Sequence, residues 1–197
     1  MSDAWIERWR YISSCLIYYL THEVMGRRTL VEQTGFTESR VRTALERLRQ
    51  DGFVSMDKQG TQVTEAGRQA FKQVLDMVKG LETLQLKELS LGRFNRATLL
   101  NELGADFSRS WRYRDVAIRE GASAVLFLTC NDELRFSDET QPLAAQNPDD
   151  AKTIRQTFQA WTPGDLVVIV FAEARGAAEA GLWRVIDQLS QPQMRAI

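Results

Sequence analysis

Residues 37–67 read TESRVRTALERLRQDGFVSMDKQGTQVTEAG, and the fold of the first half of the chain turns on them. Thr37 is a capping residue type ahead of an amphipathic run. At about 100° per residue, Val41, Ala44, Leu45 and Leu48 fall on one side of the predicted helix. Ser39, Thr43, Glu46 and Gln50 fall on the other, bordered by Arg40 and Arg47 on one flank and by Arg42 and Arg49 on the second. Asp51-Gly52 stops this helix. Two short extended runs then enclose Lys58-Gln59-Gly60, which predicts a hairpin around a glycine turn. Thr64 caps a further helix, predicted over 65–86 from Ala70, Phe71, Val74, Leu75, Val78 and Leu81.

The polar side of the 38–50 helix has a definite physical use. Small polar residues at its middle permit close approach, and long cations at its margins reach outward. A helix lying in a DNA major groove needs that layout, because base edges are read at the centre and backbones are gripped at the borders. An ordinary solvated surface helix carries the same residues, and this segment alone does not separate the two.

Upstream, residues 27–34 form a predicted short helix in which Thr29 and Glu32 have capping-box spacing, with a tight turn at Gly35. Residues 3–25 predict a long helix whose first apolar line is Trp5, Trp9, Ile12, Leu16 and Tyr19. Ile6, Ile17, Leu20 and Val24 make a second line, and Tyr11, Cys15, Tyr18 and His22 a third. So little polar circumference remains, mainly Glu7, Arg10, Ser14 and Thr21, that burial on more than one side is expected. Internal packing and a dimer contact both satisfy that expectation.

The ordered set of helix, helix, turn, helix, hairpin and helix resembles the winged helix-turn-helix domains of prokaryotic transcription regulators. The resemblance spans residues 26–71 and rests on Leu30, Gly35, Val41, Leu45, Leu48, Gly52, Val63-Thr64 and Gly67. It implies that the 38–50 helix enters the major groove of double-stranded DNA and that the hairpin tip touches backbone or minor groove. The DNA-facing set so implied is Thr37, Ser39, Arg40, Arg42, Thr43 and Arg47, with Lys58 and Gln59 on the wing and Arg28 near a phosphate. A winged helix that binds protein instead of DNA is the alternative. Four helix arginines and a wing lysine favour nucleic acid.

The second half alternates element types. Residues 97–100 are a candidate strand, in a pattern that a helix also fits, and Gly104 breaks them. Residues 108–120 predict an arginine-rich helix (Arg109, Arg112, Arg114, Arg119), and 123–129 a strongly apolar strand. Asn131-Asp132 turns the chain into a hairpin partner at 133–136. Residues 137–146 read as a polar loop, and Asn147-Pro148-Asp149-Asp150 as a helix start with acids on the positive dipole end. Ala151, Ile154, Phe158 and Trp161 form that helix's apolar stripe. Residues 166–171 are apolar on both faces, as an interior strand is, and 176–189 predict a last helix. A ferredoxin-like sheet would place its first and third strands centrally, whereas here the second and fourth are the most apolar. The expectation is therefore a small mixed sheet with helices. Residues 113–128 resemble the C-terminal part of certain archaeal two-domain winged-helix regulators, through Arg114-Asp115, Ala117-Ile118 and Gly121-Ala122. That resemblance implies an effector or assembly domain, with Arg112, Arg114 and Asp115 as candidate effector-binding residues. The sequence departs from that pattern in its bulkier Val125-Leu126-Phe127 and in lacking a proline after Phe136.

Composition agrees with two domains of different character. The chain has 197 residues, 25 basic against 26 acidic, and is 44% hydrophobic. Residues 27–72 hold nine basic and six acidic residues, whereas 90–197 hold 12 and 14, together with all four prolines. The expected class is α+β, with a winged helix-turn-helix domain at 1–89 and an α/β effector or assembly domain at 90–197. No apolar run approaches a membrane span, and the opening MSDAWIERWR lacks a signal peptide's apolar stretch, so a cytoplasmic location is expected. One histidine and two distant cysteines give no metal site and no disulfide framework. Phosphate-binding glycine loops and nucleophile-elbow motifs do not occur, so no cofactor and no catalysis are expected. The function expected is sequence-specific DNA binding by a homodimer, with a small-molecule effector as a further candidate partner.

Overall fold

The computed structural model describes residues 3–101, 110–137 and 139–191, with side chains from Trp9 onward. Gly104, Ser108 and Arg109 lie outside the described residues, as do the side chains of Trp5, Ile6 and Glu7. Two compact units divide the chain at Leu75/Asp76.

In the first unit, α1 (Asp3–His22) is followed by α2 (Arg27–Thr34) and α3 (Glu38–Gln50). Strands β1 (Val54–Met56) and β2 (Thr61–Val63) pair antiparallel, α4 (Glu65–Ala70) follows, and α5 (Lys72–Met77) begins in this unit and ends past its boundary. From residue 11 to residue 20 every side chain of α1 is buried except the half-buried Tyr18, which accounts for its three apolar lines. Within the unit α1 packs on α3, β2 and α4. After α1 the chain adds a one-residue third strand, Met25, which exchanges both backbone hydrogen bonds with Thr61 at 3.2 and 2.9 Å.

Local chemistry sets most of these boundaries. Gly35 closes α2 in the left-handed region at φ 69°. The Thr37 hydroxyl accepts from the Arg40 amide at 3.4 Å, and Glu38 sits in the first turn. At the other end Gly52, at φ 75°, lets its own N–H reach the Arg49 carbonyl and the Phe53 N–H reach that of Leu48, a Schellman closure. Gly67 is required by proximity rather than by torsion. A Cβ there would run into the Phe53 carbonyl oxygen, the acceptor of the Thr64 amide.

Two N-terminal expectations are corrected. Thr29 caps nothing, because α2 begins at Arg27 with Gly26 as its cap, which places Thr29 inside the first turn. The helix expected over 65–86 breaks at Phe71 and ends at Met77, and Val78–Glu82 forms strand β3. Residues 76–89 thus belong to the second unit, not to the domain drawn at 1–89.

The second unit is built on one five-stranded sheet, with β4 (Phe94–Leu100), β5 (Ala122–Cys130), β6 (Leu134–Phe136) and β7 (Asp165–Ala172) beside β3. Its order is β3-β4-β7-β5-β6, and every pairing is antiparallel, which corrects the expected mixed sheet. Strands β4 and β5 are parallel to one another but β7 is inserted between them, so neither meets a parallel neighbour. Helices α6 (Ser110–Arg119) and α9 (Arg175–Ser190) pack together over one face. On the other face Ile154 from α8 (Pro148–Thr157), its C-cap Phe158 and Leu143 from the short α7 (Leu143–Gln146) join Val167, Ile169 and Phe171 in a single core. The segment expected to be an irregular loop at 137–146 therefore contains a helical turn. Strand β7 is buried at all eight residues because both its faces are covered.

Three buried carboxylates hold this unit's layers. Asp150 is fully buried and accepts the backbone amides of Lys87, Glu88 and Leu89 at 2.7, 2.9 and 2.7 Å. Glu179 on α9 pairs with Arg96 on β4 at 2.9 Å and accepts the Trp183 indole N–H at 2.9 Å. Asp165 pairs with Lys79 at 2.6 Å and accepts the Thr162 amide at 2.7 Å. Beside Asp165 in the β5–β7 register lies Cys130. Burial, and after it the Asp165 carboxylate, push the Cys130 thiol up to about 12.

Candidate nucleic-acid interface

Helix α3 carries the face the sequence pointed to. Val41, Ala44, Leu45 and Leu48 are buried. Ser39, Arg40, Arg42, Glu46, Arg49 and Gln50 are exposed, and Thr43 and Arg47 are half-buried. The core side and the polar side thus lie where a 3.6-residue period puts them. Arg47 reaches the Asp51 carboxylate at 3.9 Å, across the helix C-terminus. Arg27 at the start of α2 pairs with Glu38 at the start of α3, at 3.1 Å, and ties the two helices of the turn together.

The wing lies along the Arg42–Arg49 side of α3. Between them runs a groove of about 520 Å³, bordered by Arg27, Arg42, Glu46, Arg49, Asp57 and Lys58. Four of those six are cations, so the groove attracts an anionic backbone. The wing tip is closed by Asp57, whose Oδ1 accepts the Gln59 and Gly60 amides at 2.8 and 3.2 Å. The Asp57 N–H donates to the Gly60 carbonyl at 2.9 Å. Lys58 and Gln59 are thereby held exposed at the apex.

The residues singled out from sequence divide into groups. Arg42, Lys58 and Gln59 all border the groove. Ser39 and Thr43 follow the centre line of α3, and Arg40 and Arg47 its opposite flank. Thr37 is exposed but its hydroxyl is engaged as the helix cap. Arg28 is exposed in the first turn of α2 and does not border the groove. Arg27 and Asp57 escaped the sequence reading. The first sits next to a glycine with no periodic signal, and only the hairpin folding back reveals either.

The effector candidates lie in the other unit, on α6. Arg112 is exposed with its guanidinium 5.3 Å from the Trp111 ring centroid, Asp115 is exposed and Arg114 half-buried. None of the three borders that unit's cleft of about 280 Å³, which is formed by Leu134, Pro148, Ala151, Lys152, Arg155 and Trp161 among others. Within the described residues no cluster of histidine, cysteine or acidic side chains has a metal-binding arrangement. His22 is exposed and its Nδ1 meets the Tyr18 carbonyl oxygen at 2.8 Å, and Cys15 and Cys130 are buried and not joined in a disulfide. No described helix is long and apolar enough to cross a membrane.

Comparisons with known proteins divide the chain much as its two units do. Residues 9–78 match the family model described as the CggR N-terminal DNA binding domain. Residues 91–189 match one described as a domain of unknown function, DUF4443. Among solved structures, hypothetical protein PH0730 from Pyrococcus horikoshii OT3 has the same fold, with a TM-score of 0.73 at 23% identity over 93% of this chain and 94% of that one. No curated protein matches.

Proposed function

The chain belongs to the family of the domain of unknown function DUF4443, and from a winged helix placed ahead of that domain we propose a sequence-specific DNA-binding transcription regulator. It acts as a homodimer, by binding and release at an operator and not by catalysis. The observation that carries this reading is the exposed, arginine-bordered face of α3 beside a cationic groove closed by the wing. The DNA-binding family matched by residues 9–78 supports it independently of that geometry.

In this reading α3 enters the major groove with Ser39 and Thr43 toward base edges. Arg40 and Arg47 take one backbone, and Arg42 and Arg49 the other. Lys58 and Gln59 extend the contact at the wing tip, and the Arg27–Arg28 pair adds charge at the start of α2. A two-fold dimer places two such helices about one helical turn of DNA apart, so the operator is a near-palindrome. The C-terminal unit senses a small ligand or holds the assembly together, and the site of action is the cytoplasm, where the DNA is.

Selection of bound fragments from genomic DNA by the purified full chain, at two salt concentrations, tests the reading. Enrichment of a shared palindromic motif whose retention falls steeply with salt is expected. Retention that does not differ from that of random fragments would refute it. Native mass spectrometry of the same sample reads the subunit number and any small molecule carried along.

A further inference from the structure

One side chain on the face of α3 works against phosphate binding. Glu46 is exposed at the middle of the polar line and borders the groove together with Arg27, Arg42, Arg49 and Lys58. Arg42 precedes it by one helical turn and Arg49 follows by one, so the three share a side of the helix. Among the described residues no ion pair engages the Glu46 carboxylate. A negative charge in that position repels the backbone that four cations attract, and so weakens sequence-independent binding.

Resting on the DNA-binding reading above, we propose that Glu46 is a specificity-determining residue that selects cytosine in the operator half-site. An ionised carboxylate only accepts hydrogen bonds. In the major groove guanine presents two acceptors, and thymine an acceptor beside a methyl group; both repel it. Adenine presents an amino donor flanked by the N7 acceptor, so what one carboxylate oxygen gains the other loses. Cytosine presents its N4 amino group with no acceptor of its own beside it. Arg42 and Arg49, one turn to either side, hold the backbone that positions Glu46 over that base, so the carboxylate alone reads the C·G pair.

The test is selection of bound duplexes from a random library by full-length protein, alongside Glu46→Gln and Glu46→Ala. Affinity for a duplex lacking the motif is measured in parallel at two salt concentrations. The wild-type motif is expected to contain a cytosine whose preference falls roughly ten-fold or more in both variants. Preferences at the other positions persist, and glutamine shifts the affected position to adenine, whose N6 and N7 match an amide. Affinity for the motif-free duplex rises in both variants, which a merely structural role for Glu46 would not produce. An unchanged motif in both variants overturns the assignment and leaves DNA binding standing. So does an equal loss of preference at all positions. A wild-type protein that enriches no motif overturns the regulator reading and this assignment together.

Discussion

Replacing Asp150 by alanine is expected to destabilise the C-terminal unit by about 3–4.5 kcal/mol. The carboxylate is fully buried and receives three backbone amides, those of Lys87, Glu88 and Leu89, at 2.7–2.9 Å. A hydrogen bond to a charged group contributes about 1.5–3 kcal/mol when its partner has no substitute. These three share one acceptor, and once it is gone water reaches a segment that is only partly buried, so about 1–1.5 kcal/mol each is the appropriate figure. Asparagine keeps one accepting oxygen but turns an amino group toward the donors, and an intermediate loss of about 2–3 kcal/mol follows. Asp149 is the control, since it is exposed and its single pairing to Lys87 at 3.0 Å lies in solvent. The assay is urea unfolding of the full chain followed by tryptophan fluorescence and circular dichroism, with the transitions of the two units fitted separately. Trp161 and Trp183 report on the unit concerned. Stability of Asp150→Ala within 0.5 kcal/mol of wild type, or an Asp149→Ala loss of equal size, would refute the reasoning.

Gly67→Ala should lower the stability of the N-terminal unit by about 2–4 kcal/mol, because the new methyl group meets the Phe53 carbonyl and a backbone atom cannot swing aside; a melting temperature equal to wild type would show the close approach to be unneeded. Arg40→Ala and Arg42→Ala should each weaken operator binding and reduce the slope of log K against log salt by about one, measured by fluorescence anisotropy. Unchanged slopes in both would remove the two arginines from the backbone contacts. Cys130 should resist alkylation in the native protein at pH 8–9 and react on unfolding, as read by peptide mass spectrometry. Its raised folded value means that the neutral thiol's contribution is complete below the ordinary cysteine range and is lost as pH climbs toward about 12. Rapid native labelling would contradict that burial.

The N-terminal unit was legible because its signals are local. The face of α3, the Thr37 cap, the stop at Gly52 and the hairpin about Gly60 are each settled within a few residues, and the structure carries all of them. The helix extended past Met77 fails for the opposite reason. Val74, Leu75, Val78 and Leu81 keep a helical spacing, but Val78 and Leu81 are buried by pairing with Leu100 and Thr98 of β4, far along the chain. Gly80, poor in a helix interior, instead lies in a register irregularity of that edge strand. In sequence Asp150 reads as a helix-start acid because its position in the first turn of α8 is identical in the two roles. Only the return of residues 87–89 across it distinguishes them. On the interface, cations were recognisable from α3's own period, whereas Arg27 and Asp57 become part of the groove only through folding of the wing.

The wing apex has a thermodynamic consequence. A tip made only of Lys58, Gln59 and Gly60 would sample many conformations and surrender them on contact with a duplex, at roughly 1–2 kcal/mol for each residue immobilised. Since the Asp57 carboxylate already freezes those amides in the free protein, that entropy is surrendered during folding. The tip therefore meets its target as a rigid prong, and the ordering penalty that slackens grip in floppy-winged proteins does not recur at each encounter.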